Sequence, residues 1–273
     1  MYNAQTISDF FDTYGEKEWE RLVATPRDQV SFYIHTHYLQ KFIKAGDNVL
    51  EAGAGAVRFT IELAKLGATI TVGDISKIQL ELNEKYVKEV GLETQVKERV
   101  ELDITNLKNF SDKSFDTVVC YGGPISYVLD KGEQAIGELL RVTKAGGYVF
   151  ISVMSLLGVT RSLFEVVTTL EGYPDILKPV NKNGMLDDKL GHTALKMYRY
   201  SELKTLLQKF PCKVVAASAA NYLSLGRDEF LATHLQNEEL RKLFFSWELD
   251  YCAEEGAIDG GSHMIAVVQK DSK

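Results

Sequence analysis

Val49-Leu50-Glu51-Ala52-Gly53-Ala54-Gly55-Ala56-Val57-Arg58-Phe59-Thr60 is the stretch on which the reading of this 273-residue chain turns. Val49 and Leu50 suit a buried strand, and Gly53 and Gly55 permit backbone conformations and close approaches that a Cβ forbids. From Phe59 the apolar residues Phe59, Leu63 and Leu66 recur at helical spacing, with Gly67 as a C-terminal stop. A strand, a glycine turn and a helix in that order present free backbone N–H groups and the positive end of a helix to whatever lies above. That is a site for a nucleotide-type cofactor. A dinucleotide fingerprint starting at Gly53 needs Gly or Ala where this chain has Arg58, a side chain too large for the close helix–strand packing of that position.

Composition narrows the partners. A hydrophobic fraction of 45% with 25% charged residues is that of a soluble globular protein with a substantial core. The net charge is −7 and no run of Lys or Arg stands out, so DNA is not an expected partner. The apolar run Tyr148 to Val159 is interrupted by Ser152, Ser155 and Gly158 and is too short for a bilayer, so no membrane partner is expected. Met1 to Phe11 lacks the basic-then-apolar pattern of a secretory leader. Cys120, Cys212 and Cys252 are odd in number, widely spaced and without a Cys-x-x-Cys, which points to neither a disulfide framework nor a zinc site. The expected location is cytoplasmic.

Strands and helices alternate along the chain. Residues 1–45 read as helical and aromatic-rich, with Pro26 dividing two helices. His35 and His37, two apart, face different sides of a helix and do not form a metal pair. Thr69 to Asp74 reads as a second strand ending in a carboxylate. Ser76 with Gln79 forms a capping-box pattern that opens a helix with Ile78, Leu82, Tyr86 and Val90 on one face. A third strand, Lys97 to Leu102, ends at Asp103. The fourth, Phe115 to Cys120, runs into Tyr121-Gly122-Gly123-Pro124. A helix from Lys131 to Thr143, then Gly146-Gly147, leads to a fifth strand, Tyr148 to Val153. Five alternations call for an α/β, doubly wound parallel sheet, whose ligands bind beyond the carboxyl ends of the strands. Glu51, Asp74, Asp103 and Cys120 each close their own strand and are expected at one edge of it.

The acidic residue ahead of Gly53-Ala54-Gly55 resembles motif I, (Asp/Glu)-x-Gly-x-Gly-x-Gly, of the class I S-adenosylmethionine-dependent methyltransferases, with Val57 at its last position. The resemblance covers residues 46–153 well and 190–270 loosely. It implies S-adenosylmethionine as cofactor, S-adenosylhomocysteine as product, and cofactor contacts from Glu51, Ala52, Gly53 and Gly55. Asp74 with Ile75 would take the ribose hydroxyls, although Asp74 also reads as an N-cap for the next helix. Asp103 with Ile104 would take the adenine, and Cys120, Tyr121 and Gly122 fall at motif IV. The segment Phe11 to Leu22, with Tyr14 and Arg21, resembles the part of small-molecule methyltransferases that closes over the cofactor, and Arg21 or Arg58 would pair with the cofactor carboxylate. The implied fold is a seven-stranded, mostly parallel sheet, its last strand (Met264 to Gln269) antiparallel between the fifth and a sixth (Lys213 to Ala219). One domain over 1–273 is expected, with a helical cap at 1–45, a cofactor-binding core at 46–153, and insertions at 154–200 and 220–262 roofing the substrate.

Methyl transfer from a sulfonium is an in-line displacement that needs alignment and a water-poor site, and a base only when the acceptor must lose a proton. His263, at the mouth of the last strand, and His192, in the first insertion, are the candidate bases. Tyr121 to Pro124 does not match the (Asp/Asn)-Pro-Pro-(Tyr/Phe) of amino-directed DNA methyltransferases, and Asp130 alone does not make the acidic cluster of the metal-dependent type. The expected acceptor is an O or N atom of a small molecule, apolar or aromatic given Tyr222, Phe230, Phe244, Phe245, Trp247 and Tyr251 in the second insertion, acted on by a monomer or homodimer. A protein or RNA acceptor and a non-catalytic S-adenosylmethionine-binding protein are the alternatives. A nicotinamide-dependent dehydrogenase is less consistent: Tyr127 and Lys131 fit its dyad, but Ser114 precedes the fourth strand, at the end of the sheet away from the cofactor.

Overall fold

Apolar strands are paired side by side in one sheet in the computed structural model, which describes residues 1–55, 57–188 and 193–272. The strands are β1 (Asn48–Ala52), β2 (Thr69–Asp74), β3 (Val96–Glu101), β4 (Phe115–Cys120), β5 (Thr143–Met154), β6 (Met185–Leu186), β7 (Leu195–Lys196), β8 (Cys212–Ala219) and β9 (His263–Lys270). Seven of them form the order β3-β2-β1-β4-β5-β9-β8, and β6 with β7 makes a separate antiparallel pair. Pairing is parallel from β3 through to β5, and β9 lies antiparallel between β5 and β8. The strand order reverses between β1 and β4, which places the switch-point crevice above their carboxyl ends.

Alternate residues of the central strands enter two cores, one on each face. Val49, Ile70, Val72, Val119 and Phe150 pack with Val30, Ile34 and Leu39 of α3 (Pro26–Phe42) and with Phe59 and Leu63 of α4 (Arg58–Lys65). On the other face Leu50, Val118, Val149 and Ile151 pack with Ile136 and Leu139 of α7 (Gly132–Val142) and Leu203 of α10 (Tyr200–Leu207). The remaining helices are α1 (Ala4–Tyr14), α2 (Lys17–Arg21), α5 (Lys77–Glu89), α6 (Pro124–Tyr127), α8 (Leu156–Thr168), α9 (Tyr173–Asn183), α11 (Asp228–His234) and α12 (Glu238–Cys252). Among the described residues, no helix is long and apolar enough to cross a membrane.

The Pro/Gly/Asn-rich stretch from Gly172 forms a helix: Pro174 sits in the first turn of α9, where its missing N–H costs nothing, and Gly172 and Gly184 flank the helix at φ 73° and 74°. Two local expectations need correcting. Gly146 and Gly147 lie within β5 rather than before it, at a register shift against β4. On α5 the buried side chains are Gln79, Asn83 and Val87, whereas Ile78 and Val90 are exposed. Polar residues win that face because each has a specific partner, described below.

α8 approaches the chain ahead of β9 closely enough that a Cβ on Gly158 would stand 1.7 Å from the Gly261 carbonyl oxygen. Gly158→Ala is expected to lower stability by about 3 kcal/mol, because backbone meets backbone and no rotamer relieves the clash. Gly91→Ala, at φ 71° with nothing within 4 Å, should cost only about 1 kcal/mol. Urea midpoints of the two variants measure the difference.

Candidate active site

The turn after β1 is built by hydrogen bonds to β2. Gly53 (φ 79°) and Ala54 donate their N–H groups to the Gly73 carbonyl at 2.8 and 3.0 Å, and Gly55 (φ 54°) donates to Asp74 Oδ2 at 2.8 Å. These three N–H groups are spent on β2 rather than offered upward, which corrects the sequence-based picture of a free cradle. The glycines serve close approach instead: a Cβ on Gly53 would stand 2.5 Å from Pro124 Cγ, and one on Gly55 3.3 Å from Glu18 Cγ. Val57, in the last glycine position of the motif, takes φ 96° and is fully buried against Ile61 and Val87. Left-handed backbone costs a β-branched residue about 1–2 kcal/mol, which burial of the side chain offsets.

Above the turn lies a cleft of about 700 Å³, mouth included. Gly53, Ala54, Gly55, Asp74, Ile75, Ile104, Tyr121 and Gly122 form its floor, and Tyr2, Ile7, Phe11, Glu18 and Leu22 close it from the N-terminal segment. That segment is fastened to the sheet edge by side chains. Ser8 Oγ donates to the Ile75 carbonyl, Asp12 accepts from the Ser76 hydroxyl, and Gln79 Nε2 donates to the carbonyls of Phe11 and Gly15. Ser76 is thus the N-cap of α5, as its spacing predicts, while Gln79 is spent on the cap segment instead of closing the box.

Of the residues singled out from sequence, Gly53, Gly55, Asp74, Ile75, Ile104, Tyr121 and Gly122 meet at this cleft. Others lie elsewhere. Glu51 is buried and turned toward α4, accepting from the Thr60 hydroxyl at 2.6 Å, and Ala52 and Cys120 are buried in the sheet. Asp103 follows β3, accepts from the Thr105 N–H at 2.8 Å and holds the Tyr2 phenol. Tyr14 stacks on Phe10. Arg58 is turned outward: its Nε donates to the Trp19 carbonyl and its guanidinium lies 3.4 Å from the Trp19 ring, so it does not face the cleft. Arg21 is paired with Glu18 and lines an adjoining cavity with His35 and His263. His192 lies outside the described residues.

Among the described residues, none from 154–200 or 220–262 lines the cleft. Phe244 and Phe245 pack toward α3, and Phe230, Trp247 and Tyr251 are exposed, so these aromatics do not form the expected roof. Sequence reading missed Tyr2, named the segment holding Glu18 and Leu22 without singling them out, and considered His35 only as half of a metal pair. The one available signal was the aromatic density of residues 1–45. No group of three or more His, Cys, Asp or Glu is placed to hold a metal among the described residues.

Burial controls the ionisable groups. It pushes Glu51 up to about 8 against the Thr60 hydrogen bond, and Asp74 up to about 6 against the N–H groups of Ser76 and Gly55. It lowers His35 to about 4 and His263 to about 3, so both rings are neutral at physiological pH.

Residues 50–151 match the family described as a methyltransferase domain. The core of the sheet is thus similar to a methyltransferase domain. The methyltransferase GfsG of Streptomyces halstedii is 29% identical over 169 residues, which cover 59% of this chain and 58% of that relative, little more than half its length. The ubiquinone biosynthesis O-methyltransferase of Paracidovorax citrulli (strain AAC00-1) is 27% identical over 182 residues, 67% of this chain and 70% of that one. In shape the chain is similar to the [4+2]-cyclase SpnF, with a TM-score of 0.65 at 16% identity, covering 100% of this chain and 97% of that one. It is also similar to the magnesium protoporphyrin IX methyltransferase of Synechocystis PCC 6803 with bound S-adenosylhomocysteine, with a TM-score of 0.60 at 13% identity, covering 98% and 99%. A cyclase among these shapes means that the fold of a methyltransferase core does not by itself name the reaction.

The buried carboxyl at the end of β1 gives the fold a pH signature. Glu51 keeps its proton up to about 8 when folded and loses it near 4.5 when unfolded, so its contribution is complete below 4.5 and is lost as pH rises toward 8. Asp74 acts alike up to about 6, whereas His35 and His263 act oppositely, lowering stability as pH falls below 6.5. Between pH 7 and 8 Glu51 changes most of these four. The ligand-free protein should lose about 1 kcal/mol over that interval, and Glu51→Gln should flatten the slope in urea titrations at the two pH values.

Proposed function

We propose that this chain transfers the methyl group of S-adenosylmethionine to an oxygen or nitrogen atom of a small molecule, working in the cytoplasm as a monomer or homodimer and as one domain. The observation that carries the reading is the convergence of the glycine turn, Asp74, Ile75, Ile104 and Tyr121-Gly122 on one enclosed cleft at the carboxyl edge of the sheet.

The residues fit that cofactor. Each Asp74 oxygen accepts one backbone N–H and retains a lone pair for a ribose hydroxyl. Ile75, Leu102 and Ile104 offer apolar walls for a base, with Asp103 and Tyr2 beside them. Glu18, buried against Gly55, places a carboxylate where an ammonium group would be received, and its partner Arg21 suits a carboxylate. Bound S-adenosylmethionine supplies a methyl on a sulfonium, a leaving group that needs no acid from the protein. What the chain adds is alignment and exclusion of water: Ile7, Phe11 and Leu22 cover the cleft, and Gly53 and Gly122 keep side chains out of it.

S-adenosylhomocysteine at a hundredfold excess over its Kd should stabilise the protein by about 2.7 kcal/mol, raising Tm by roughly 5 °C or more for a chain of this size. NAD should do nothing. Asp74→Asn should remain folded and lose most of the S-adenosylhomocysteine effect. Stabilisation by NAD in place of S-adenosylhomocysteine contradicts the reading.

A further inference from the structure

Beside the cofactor cleft lies a second cavity that shares Leu22, Phe59 and Gly122 with it as a common wall. At Gly122 no atom of the described residues stands within 4 Å of the place a Cβ would take, so the two spaces meet there at bare backbone. Two ring nitrogens of residues that line this cavity, Nε2 of His35 and Nε2 of His263, are buried and have no hydrogen-bond partner among the described residues.

The tautomer of His35 follows from its helix. Its Nδ1 lies 2.8 Å from the Ser31 carbonyl, which can only accept, so Nδ1 carries the hydrogen and Nε2 presents a bare lone pair. His263 has Nδ1 3.4 Å from the Ser262 hydroxyl, whose oxygen can accept from it and leave Nε2 as a second lone pair, and that Nε2 lies 3.5 Å from where a Cβ on Gly123 would stand, next to the wall between the cavities. A buried acceptor left unpaired costs about 1–3 kcal/mol, and two on residues that line one space call for a ligand that donates hydrogen bonds. A cationic amine would look for an unspent carboxylate. Asp28, on the same cavity, already accepts from the N–H and hydroxyl of Thr25 with Oδ2 and pairs with Arg27 through Oδ1, and the Arg21 guanidinium lines the cavity with a like charge. Neutral imidazole lone pairs suit a neutral O–H.

We propose that this second cavity is the acceptor site and that it takes a hydroxyl: the O–H of an alcohol or phenol donates to Nε2 of His263, with His35 Nε2 as second acceptor and Leu22 and Phe59 covering the carbon skeleton. The proposal rests on the methyl-transfer reading above. In the step it implies, the hydroxyl oxygen bonds to the methyl carbon of S-adenosylmethionine as the carbon–sulfur bond breaks. That bonding pair leaves with sulfur as a neutral thioether, and the hydroxyl proton passes to Nε2 of His263, which later returns it to water. His263 is the catalytic residue in this scheme, and His35 a second hydrogen-bonding group.

The test uses the full chain saturated with S-adenosylhomocysteine, phenol as the probe and aniline as the amine counterpart, read by the imidazole ¹⁵N resonances and by calorimetry. Phenol should move the Nε2 resonances of His263 and His35 away from their bare-lone-pair positions. His263→Phe should weaken phenol about tenfold or more, a lost buried hydrogen bond, while leaving S-adenosylhomocysteine affinity within about twofold. His263→Gln, which keeps an acceptor atom, should retain most of the phenol binding. Resonances that phenol leaves unmoved, or that only aniline moves, overturn the proposal. If S-adenosylhomocysteine alone moves them, or His263→Phe weakens it as much as phenol, the cavity holds the tail of the cofactor and the proposal falls while methyl transfer stands. Failure of S-adenosylhomocysteine to bind the unaltered protein overturns both.

Discussion

One carboxylate at the end of a strand sets the geometry of everything above the sheet. Asp74 accepts the Gly55 N–H with one oxygen and the Ser76 N–H, at 2.9 Å, with the other. The first bond draws the turn after β1 against β2, and the second starts α5. Residues on either side then hold the N-terminal segment, through the Ile75 carbonyl to Ser8 and the Ser76 hydroxyl to Asp12. Burying a carboxylate is costly, and the raised pKa of Asp74 shows that backbone N–H groups offset only part of the cost. Ligand hydroxyls would offset more of it, so ligand and turn stabilise the same charge.

A second polar chain ties the layers together from within. Glu51 accepts from Thr60, whose hydroxyl oxygen accepts from Asn83, whose Oδ1 accepts from Arg99, itself paired with Glu93. This links β1 to α4, α5 and β3 through groups that are buried or nearly so. It also explains why α5 buries Asn83 and Gln79 in preference to Ile78: an apolar side chain gains only area, whereas these amides complete bonds whose loss would leave buried groups unpaired.

The cover of the cleft is drawn from one end of the chain. α1 and α2 lie over the strand ends because β2 and α5 offer them hydrogen-bond partners, and Phe11 packs edge-on against Tyr127. The long segments after β5 and β8 instead wrap the flanks, α12 against α3 and α8 beside α9. The glycine turn is accordingly a packing device as much as a ligand cradle, its N–H groups turned to β2 and its missing side chains filled by Pro124 and Glu18.

Sequence alone determined the alternation of strands and helices, the strand order implied by the family resemblance, and the gathering of Gly53, Gly55, Asp74 and Tyr121-Gly122 at one edge. These follow from local signals, namely apolar period, glycine position and the residue that closes each strand. The tertiary structure decided which way the side chains at that edge point. Glu51 and Arg58 sit beside the turn in sequence yet face Thr60 and Trp19, because each finds a better partner off the cleft. His35, in the middle of a helix, gained significance only when packing brought it to the same cavity as His263, more than two hundred residues away, with no partner for Nε2 among the described residues. Periodicity reports that a residue is buried, but which polar atoms are left unpaired depends on neighbours that only the folded chain supplies.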